Sequence, residues 1–303
     1  AMGIIMNIRV LEYLVMLAEK KHFRKAAEAC HVSQPTLSEQ IRKLESSLNI
    51  NLLERTSRRV IFTQSGLLLI EQAKVILKEV QILKDLALAQ KDEMLGPLLL
   101  GMIPTLSPYI LPDVLEECGK SFPELSIQLS ELNTSELLAR LELGLIDCAI
   151  MAIVPETDAF IEIPLIEEKF KIAVSKKNPL SKKEYISNLD LQESKFLILN
   201  ENHCFGIQSL QYCISAGLTK SLTYNLDNLE TVRNLVKINF GIAFMPELAL
   251  KSEEDIEYLN FKDTNPYRVL ALVYRPGSPL KNRYERIAQV LKVILNKKLA
   301  LND

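Results

Sequence analysis

The chain lacks any apolar run approaching the ~20 residues needed to span a bilayer. The short run from Gly66 to Leu69 is soon followed by charges. It also lacks the layout of a secretory signal, because Lys20, Lys21, Arg24 and Lys25 interrupt any apolar stretch near the start. A membrane protein and a secreted solute-binding protein are therefore not expected, and the expected compartment is the cytoplasm. Cysteines at metal-binding spacing are missing too. Cys30, Cys118, Cys148, Cys204 and Cys213 include no Cys-x-x-Cys pair. No zinc site is expected from them, and no metal or other cofactor is assigned. An odd count without a secretory signal fits a reducing compartment better than a disulfide framework.

A large net charge is also absent: 36 Lys and Arg stand against 38 Asp and Glu, a net of -2. Such a balance argues against a wholesale nucleic-acid binder, but the average hides a local excess. Between Lys20 and Arg59, Lys and Arg outnumber Asp and Glu by nine to four. A basic segment on a near-neutral chain suggests a DNA-binding module joined to something else. The length of 303 residues allows about two domains. Hydrophobic content of 48% and charged content of 24% are ordinary for a globular protein.

Periodicity divides the chain. Leu11, Leu14, Val15 and Ala18 recur at helical spacing, and a second helix is expected over about His22–Cys30. Ser33 reads as an N-cap, with Pro35 in the first turn where its missing N–H does no harm. The helix that follows carries Leu37, Ile41 and Leu44 on one face. Asn51–Thr63 reads as a short hairpin with a basic tip. Leu69, Ala73, Ile76, Val80, Leu83, Ala87 and Gln90 then alternate spacings of four and three, a heptad seam expected to pair with a second copy. A long amphipathic helix packed on its own domain would show a similar pattern. Gly96-Pro97 ends the helix, and strands and helices alternate from there, as in layered α/β folds.

The expected architecture is therefore multi-domain. It has an all-α winged helix-turn-helix, a long linker helix and a two-lobed α/β regulatory domain like a periplasmic binding protein. Residues 1–6 read as an added or flexible lead-in with Met6 the expected native start, 7–64 as the DNA-binding domain, and 65–92 as the linker. The regulatory domain takes 96–303, with lobe I at about 96–167 and 271–303 and lobe II at about 168–270. A cleft between two such lobes is a usual ligand site.

The segment Phe23–Leu48, with Ala26-Ala27, His31-Val32-Ser33-Gln34-Pro35-Thr36-Leu37-Ser38 and Gln40-Ile41-Arg42-Lys43-Leu44-Glu45, resembles the helix-turn-helix of LysR-type transcription regulators. Leu53-Glu54-Arg55-Thr56-Ser57-Arg58 resembles the family's wing, and Phe62-Thr63-Gln64-Ser65-Gly66 the start of its linker. Physical reading agrees. Ala26 and Ala27 are small enough for two helices to cross closely. The helix from Ser33 offers hydroxyl and amide groups where major-groove base edges are reached, with Gln34 suited to adenine. Ser33, Thr36 and Ser38 are short donors beside Pro35. Arg42, Arg55, Arg58 and Arg59 supply charge for phosphate or the minor groove.

Further on, Ile103-Pro104-Thr105, Leu145-Ile146-Asp147-Cys148, Asn202-His203-Cys204, Tyr212-Cys213 and the stretch Val273–Leu280 with Arg275 resemble the peroxide-sensing members of that family. The resemblance implies that Cys204 reacts with peroxide and that Cys213 resolves the product into a disulfide. It also implies that Thr105, Thr134, His203 and Arg275 support the peroxide. Promoter DNA, a homodimer through the linker, a homotetramer, RNA polymerase and a cellular thiol reductant are its implied partners. Taken alone, the two thiols read more readily as ordinary, partly buried cysteines; the flanking residues reverse that. Cys118 and Cys148 read as core, and Cys30 as a small buried apolar residue. In a loop-then-helix segment, cysteines nine positions apart are not expected within the ~7 Å that a disulfide requires, so bridging would demand local unfolding. One departure from the family pattern is the uncharged Phe205-Gly206-Ile207, where charged residues are usual; it bears on the oxidation rate and the proton path. Rival expectations are a LysR-type regulator answering a small metabolite in the cleft, and a thiol peroxidase, for which the DNA-binding third makes little sense.

Overall fold

The computed structural model describes residues 6–54, 60–89, 93–218, 222–252, 255–262 and 264–302. The chain forms two compact units, one reaching Ala87 and one taking up most of the chain from Leu88 onward.

The first unit holds helices α1 (Ile8–Lys20), α2 (Phe23–Ala29), α3 (Gln34–Leu48) and α4 (Gln64–Ala89). The starts of α1 and α3 have a local cause. The Asn7 side chain accepts from the Val10 N–H at 3.0 Å, and the Ser33 hydroxyl accepts from the Thr36 N–H at 3.3 Å. Leu14, Leu17, Ala26, Ala27, Leu37, Ile41 and Leu44 fill the core between α1, α2 and α3. His31 turns the chain between α2 and α3 at a φ of 55°. After α3, Leu53 bridges Phe62 in antiparallel fashion, and one Glu45 carboxylate oxygen accepts from the Leu52 and Leu53 N–H groups at 2.7 and 3.1 Å. This ties the bridge to α3. The expected hairpin tip, with Arg55, Arg58 and Arg59, lies outside the described residues.

In α4 the buried side chains are Ile70, Ala73 and Leu77. This stripe is displaced from the expected seam, sharing only Ala73 with it. Leu69, Ile76 and Val80 are half-buried, Leu83 and Ala87 are exposed, and Gln90 lies outside the described residues. The helix thus buries one stripe within the single chain and leaves a neighbouring apolar stripe uncovered.

The second unit runs β1 (Gly96–Met102), α5 (Ser107–Ser121), β2 (Leu125–Glu131), α6 (Thr134–Glu142), β3 (Cys148–Ala152) and β4 (Ile161–Ser175). It continues with β5 (Tyr185–Ile186), α7 (Asn188–Leu191), β6 (Phe196–Leu199), α8 (Cys204–Ser215), β7 (Leu222–Leu226) and α9 (Leu229–Lys237). It closes with β8 (Ala243–Pro246), β9 (Ile256–Phe261), β10 (Tyr267–Tyr274) and α10 (Lys281–Asn302). Strand order in the larger sheet is β2-β1-β3-β10-β4-β9-β5, with β8 also on β4 and β6-β7 forming a separate pair. β1, β2 and β3 are parallel, whereas β10 is antiparallel to both β3 and β4. The long β4 pairs with β10 along its first part and with β8 and β9 along its last, so it carries the chain from one lobe to the other. Each lobe has its own apolar core, one around Leu98, Ile150, Leu272 and Leu291, the other around Ile172, Phe196, Val232 and Phe244. Two lobes are as the alternation suggested; the sheet is mixed, and β9 had no clear sequence signal.

Cys118 and Cys148 are buried in the first lobe's core. Burial pushes the Cys118 thiol up to about 11, with the nearby Glu117 charge adding to it, and raises Cys148 still further. Cys30 is half-buried at the C-terminal end of α2, more accessible than expected. No helix among the described residues is long and apolar enough to cross a membrane.

Candidate functional site

The segment Asn202-His203-Cys204 sits where the loop after β6 becomes α8. Asn200 shapes that loop, its side-chain Oδ1 accepting from the Asn202 N–H at 3.1 Å while its side-chain NH2 donates to Asp227. His203 is the N-cap in extended conformation and Cys204 the first helical residue. A Cβ on Gly206 would lie 2.5 Å from the Leu199 carbonyl oxygen and 2.6 Å from that of Asn200. Only glycine therefore lets the first turn of α8 press onto the end of β6.

Both cysteines belong to one continuous helix, not to a loop followed by a helix. Nine residues of α-helix separate them by ~13.5 Å along the axis and turn by about 900°, which places them on opposite faces. Their surroundings agree: Cys204 packs in the first lobe's core and Cys213 in the second's. Both are buried and neither is in a disulfide. Burial pushes the Cys213 thiol up to about 12. Burial also lowers the His203 pKa, opposed by a hydrogen bond to the Asp227 backbone and by that residue's charge, which favours a neutral ring.

Parallel register aligns the two threonines. Met102 of β1 lies opposite Glu131 of β2, so Thr105 and Thr134 each follow three residues past neighbouring positions at the carboxyl edge of the sheet. Ligands of α/β sheets bind at that edge. The Thr134 hydroxyl is shielded from solvent and has no hydrogen-bond partner among the described residues. The buried Thr105 hydroxyl accepts from the Arg268 guanidinium at 2.9 Å, and its carbonyl accepts from the same group at 3.3 Å.

Arg275 is not at this edge. β10 runs antiparallel to β3, and Tyr274 pairs with Cys148 at the start of β3, so Arg275 emerges at the opposite end of the sheet from Thr105. There its guanidinium donates to the carbonyls of Leu141 and Ile146, both at 3.0 Å, closing the end of α6. The cation beside Thr105 is Arg268, at the other end of β10. It lies opposite Glu168 in the β4–β10 register and binds its carboxylate at 2.6 Å, with both side chains fully buried. The second Glu168 oxygen accepts from the Leu248 N–H at 2.8 Å. Arg268 also lies over the Phe205 ring, 5.3 Å from its centroid. Sequence reasoning passed over Glu168 and Arg268; the available signal was a lone arginine inside the apolar run of β10, and antiparallel pairing with β4 would have supplied its partner.

On α3, Ser33, Gln34, Pro35, Thr36 and Arg42 are exposed and Ser38 is half-buried. The Ser33 and Thr36 hydroxyls bond each other at 2.7 Å, so part of their capacity is used in capping. Among the described residues no group of His, Cys, Asp and Glu is arranged to hold a metal.

A helix-turn-helix unit followed by a two-lobed α/β unit defines a bacterial DNA-binding regulator that carries its sensor on the same chain. The chain belongs to the LysR family: residues 8–67 match the bacterial regulatory helix-turn-helix protein, lysR family, and residues 91–293 match the LysR substrate binding domain. It is 51% identical to a hydrogen peroxide-inducible genes activator of Haemophilus influenzae, over 94% of this chain and 96% of the relative. It is 47% identical to the DNA-binding transcriptional dual regulator OxyR of Escherichia coli K12, over 95% of each. The fold is similar to full-length OxyR from Pseudomonas aeruginosa, with a TM-score of 0.70 at 30% identity over 95% of both chains. It is also similar to a hydrogen peroxide-bound OxyR variant of Corynebacterium glutamicum, with a TM-score of 0.66 at 31% identity over 98% of this chain and 94% of the other.

Proposed function

We propose that the chain is a promoter-binding transcription regulator that senses hydrogen peroxide through a reversible Cys204–Cys213 disulfide. The observation that carries this reading is the placement of the two thiols at opposite ends and on opposite faces of α8, in two different cores. Such a pair cannot bridge without unwinding the helix, so oxidation would be converted directly into a change of fold.

The chemistry needs a thiolate, hydrogen-bonding groups for the peroxide and a second thiol. The Cys204 sulfur attacks one peroxide oxygen, the O–O bond breaks, and the departing hydroxide takes a proton to leave as water. The product is a sulfenic acid. The Cys213 sulfur then attacks the Cys204 sulfur, expels the hydroxyl group as a second water, and forms the disulfide. The free hydroxyl of Thr134 and the Thr105 hydroxyl are suited to hold the peroxide, and neutral His203, next to Cys204 in sequence, is suited to pass a proton. Arg268 takes the role expected of Arg275, favouring the developing hydroxide through Thr105. A cellular thiol reductant restores the dithiol.

In the same reading, 7–64 contacts double-stranded promoter DNA through Ser33, Gln34, Pro35, Thr36, Ser38 and Arg42 on α3 and through Arg55, Arg58 and Arg59. Residues 65–92 pair two copies through the uncovered stripe of α4. Residues 96–303 sense peroxide and join dimers into a tetramer in the cytoplasm, where remodelling would reposition the DNA-binding units and alter contact with RNA polymerase. The protein is a stoichiometric switch, not an enzyme.

No Lys or Arg lies between Lys195 and Lys220, so trypsin releases Cys204 and Cys213 together with no other cysteine. After near-stoichiometric peroxide, alkylation and digestion without reductant, this peptide is expected to lose about two hydrogens and take up no alkyl group. Two alkylated thiols would overturn the peroxide reading and leave a LysR-family regulator with another signal.

A further inference from the structure

We infer that Phe205 is a positioning residue that locks Cys204 into the reduced helix and thereby sets the redox poise of the cysteine pair. The inference rests on the Cys204–Cys213 switch proposed above and adds a determinant of its redox poise. Phe205 is buried between two groups from the strands beneath it. Its ring meets Phe170 of β4 edge-on, with centroids 4.9 Å apart and planes at 82°, and it faces the Arg268 guanidinium at 5.3 Å. Both geometries are attractive, the first through the ring quadrupoles and the second through cation–π attraction.

The asymmetry of α8 decides which end must move. At the Cys213 end, Tyr212 is anchored by two rings, Phe244 and Phe261, each 5.4 Å away, and its hydroxyl bonds Asn188 and Thr264. At the Cys204 end the aromatic anchor is Phe205. Closing the gap from ~13.5 Å to within ~7 Å therefore falls on the first turns. Phe205 is the immediate neighbour of the moving cysteine and lies within the segment that unwinds. Arg268 does not follow the ring, because Glu168 and Thr105 hold it. The contact is lost when the disulfide forms, so it stabilises the dithiol state selectively. It also links the reactive cysteine's helix to the arginine that binds Thr105, at the seam between the lobes.

The test measures the dithiol–disulfide equilibrium of the full chain in glutathione buffers, without peroxide, alongside the two oxidation steps by rapid mixing. Phe205→Leu keeps an apolar side chain and removes the ring. We expect the equilibrium to move toward the disulfide by about tenfold, a size typical of these ring contacts together. That is a reduction potential about 30 mV more negative. Disulfide closure accelerates, while sulfenic acid formation, read in a Cys213→Ser background, keeps its rate. Phe205→Tyr retains the ring and restores the wild-type potential. Phe170→Leu shifts the potential in the same direction by less. An unchanged potential in Phe205→Leu and Phe170→Leu, or an effect on sulfenic acid formation alone, overturns the inference. So does a wild-type chain that forms no Cys204–Cys213 disulfide in oxidised glutathione. A disulfide that forms there with the expected Phe205 dependence, but not with peroxide, upholds the positioning role and removes only the peroxide reading.

Discussion

Replacing Glu168 by Gln tests whether the lobe junction is held by a buried ion pair. Glu168 and Arg268 lie opposite each other on β4 and β10, their side chains are fully buried, and the bond is 2.6 Å long. In Glu168→Gln the amide oxygen can still accept from the Leu248 N–H, but an NH2 group then faces the Arg268 N–H, donor against donor. The guanidinium keeps its bonds to Thr105 and loses its counter-charge. Stranding one member of a buried pair costs about 3–5 kcal/mol. In a unit of roughly 210 residues each kcal/mol lowers Tm by about 2–4 °C, so a fall of roughly 6–20 °C is expected. Calorimetry of the reduced protein, with the DNA-binding unit's transition resolved separately, is the assay. Replacing both residues by Leu removes the stranded charge and should recover part of the loss, leaving the cost of an unpartnered Thr105 and an unpartnered Leu248 N–H. A Glu168→Gln shift within 2 °C, or a double variant no more stable than the single one, would refute the argument.

How much of this was readable in advance depended on whether the cause was local. The cap at Ser33, the α3 face of Leu37, Ile41 and Leu44, and the βα alternation after Gly96 rest on neighbours in sequence and were legible. The seam of α4 was legible as a pattern but not as a partner, because a stripe packed within the chain and a stripe facing a second copy have the same period; Ile70 and Leu77 proved to belong to the former. The cysteines, Thr105 and Thr134 came from motif resemblance, and β-register then explains why the threonines share an edge. Arg275 failed because motif proximity says nothing of strand direction: β10 runs against β3 and carries it to the far end. Glu168 and Arg268 are 100 residues apart in sequence, and only their antiparallel pairing reveals them.

Three other outcomes follow. Cys204→Ser is expected to lose the peroxide response while retaining operator affinity in gel-shift titration; a retained response would remove Cys204 from its role. Arg55→Ala is expected to weaken operator binding and reduce the slope of log K against log salt by ~0.9, the value for one phosphate contact; an unchanged slope would take Arg55 off the interface. The last concerns pH. The buried Cys213 thiol has its pKa raised from 9.0 to about 12 in the folded state, whereas in the unfolded chain it returns to its ordinary value. Its contribution to stability is therefore complete below pH about 9. It is lost as pH rises from there toward about 12, because only the unfolded state releases the proton. The slope for one such group is ~1.4 kcal/mol per pH unit. Cys118, raised to about 11, and Cys148, raised still further, add to the same loss. Unfolding free energies of the reduced protein from urea titration should accordingly fall between pH 8.5 and 10.5 by roughly two to three kcal/mol per pH unit. Cys213→Ala should reduce that fall by one group's share, about a third, while lowering stability at pH 7 through the lost packing. If the Cys213→Ala profile keeps the full alkaline slope, the thiol already meets solvent in the reduced protein. Disulfide closure would then need far less unwinding of α8 than its geometry implies.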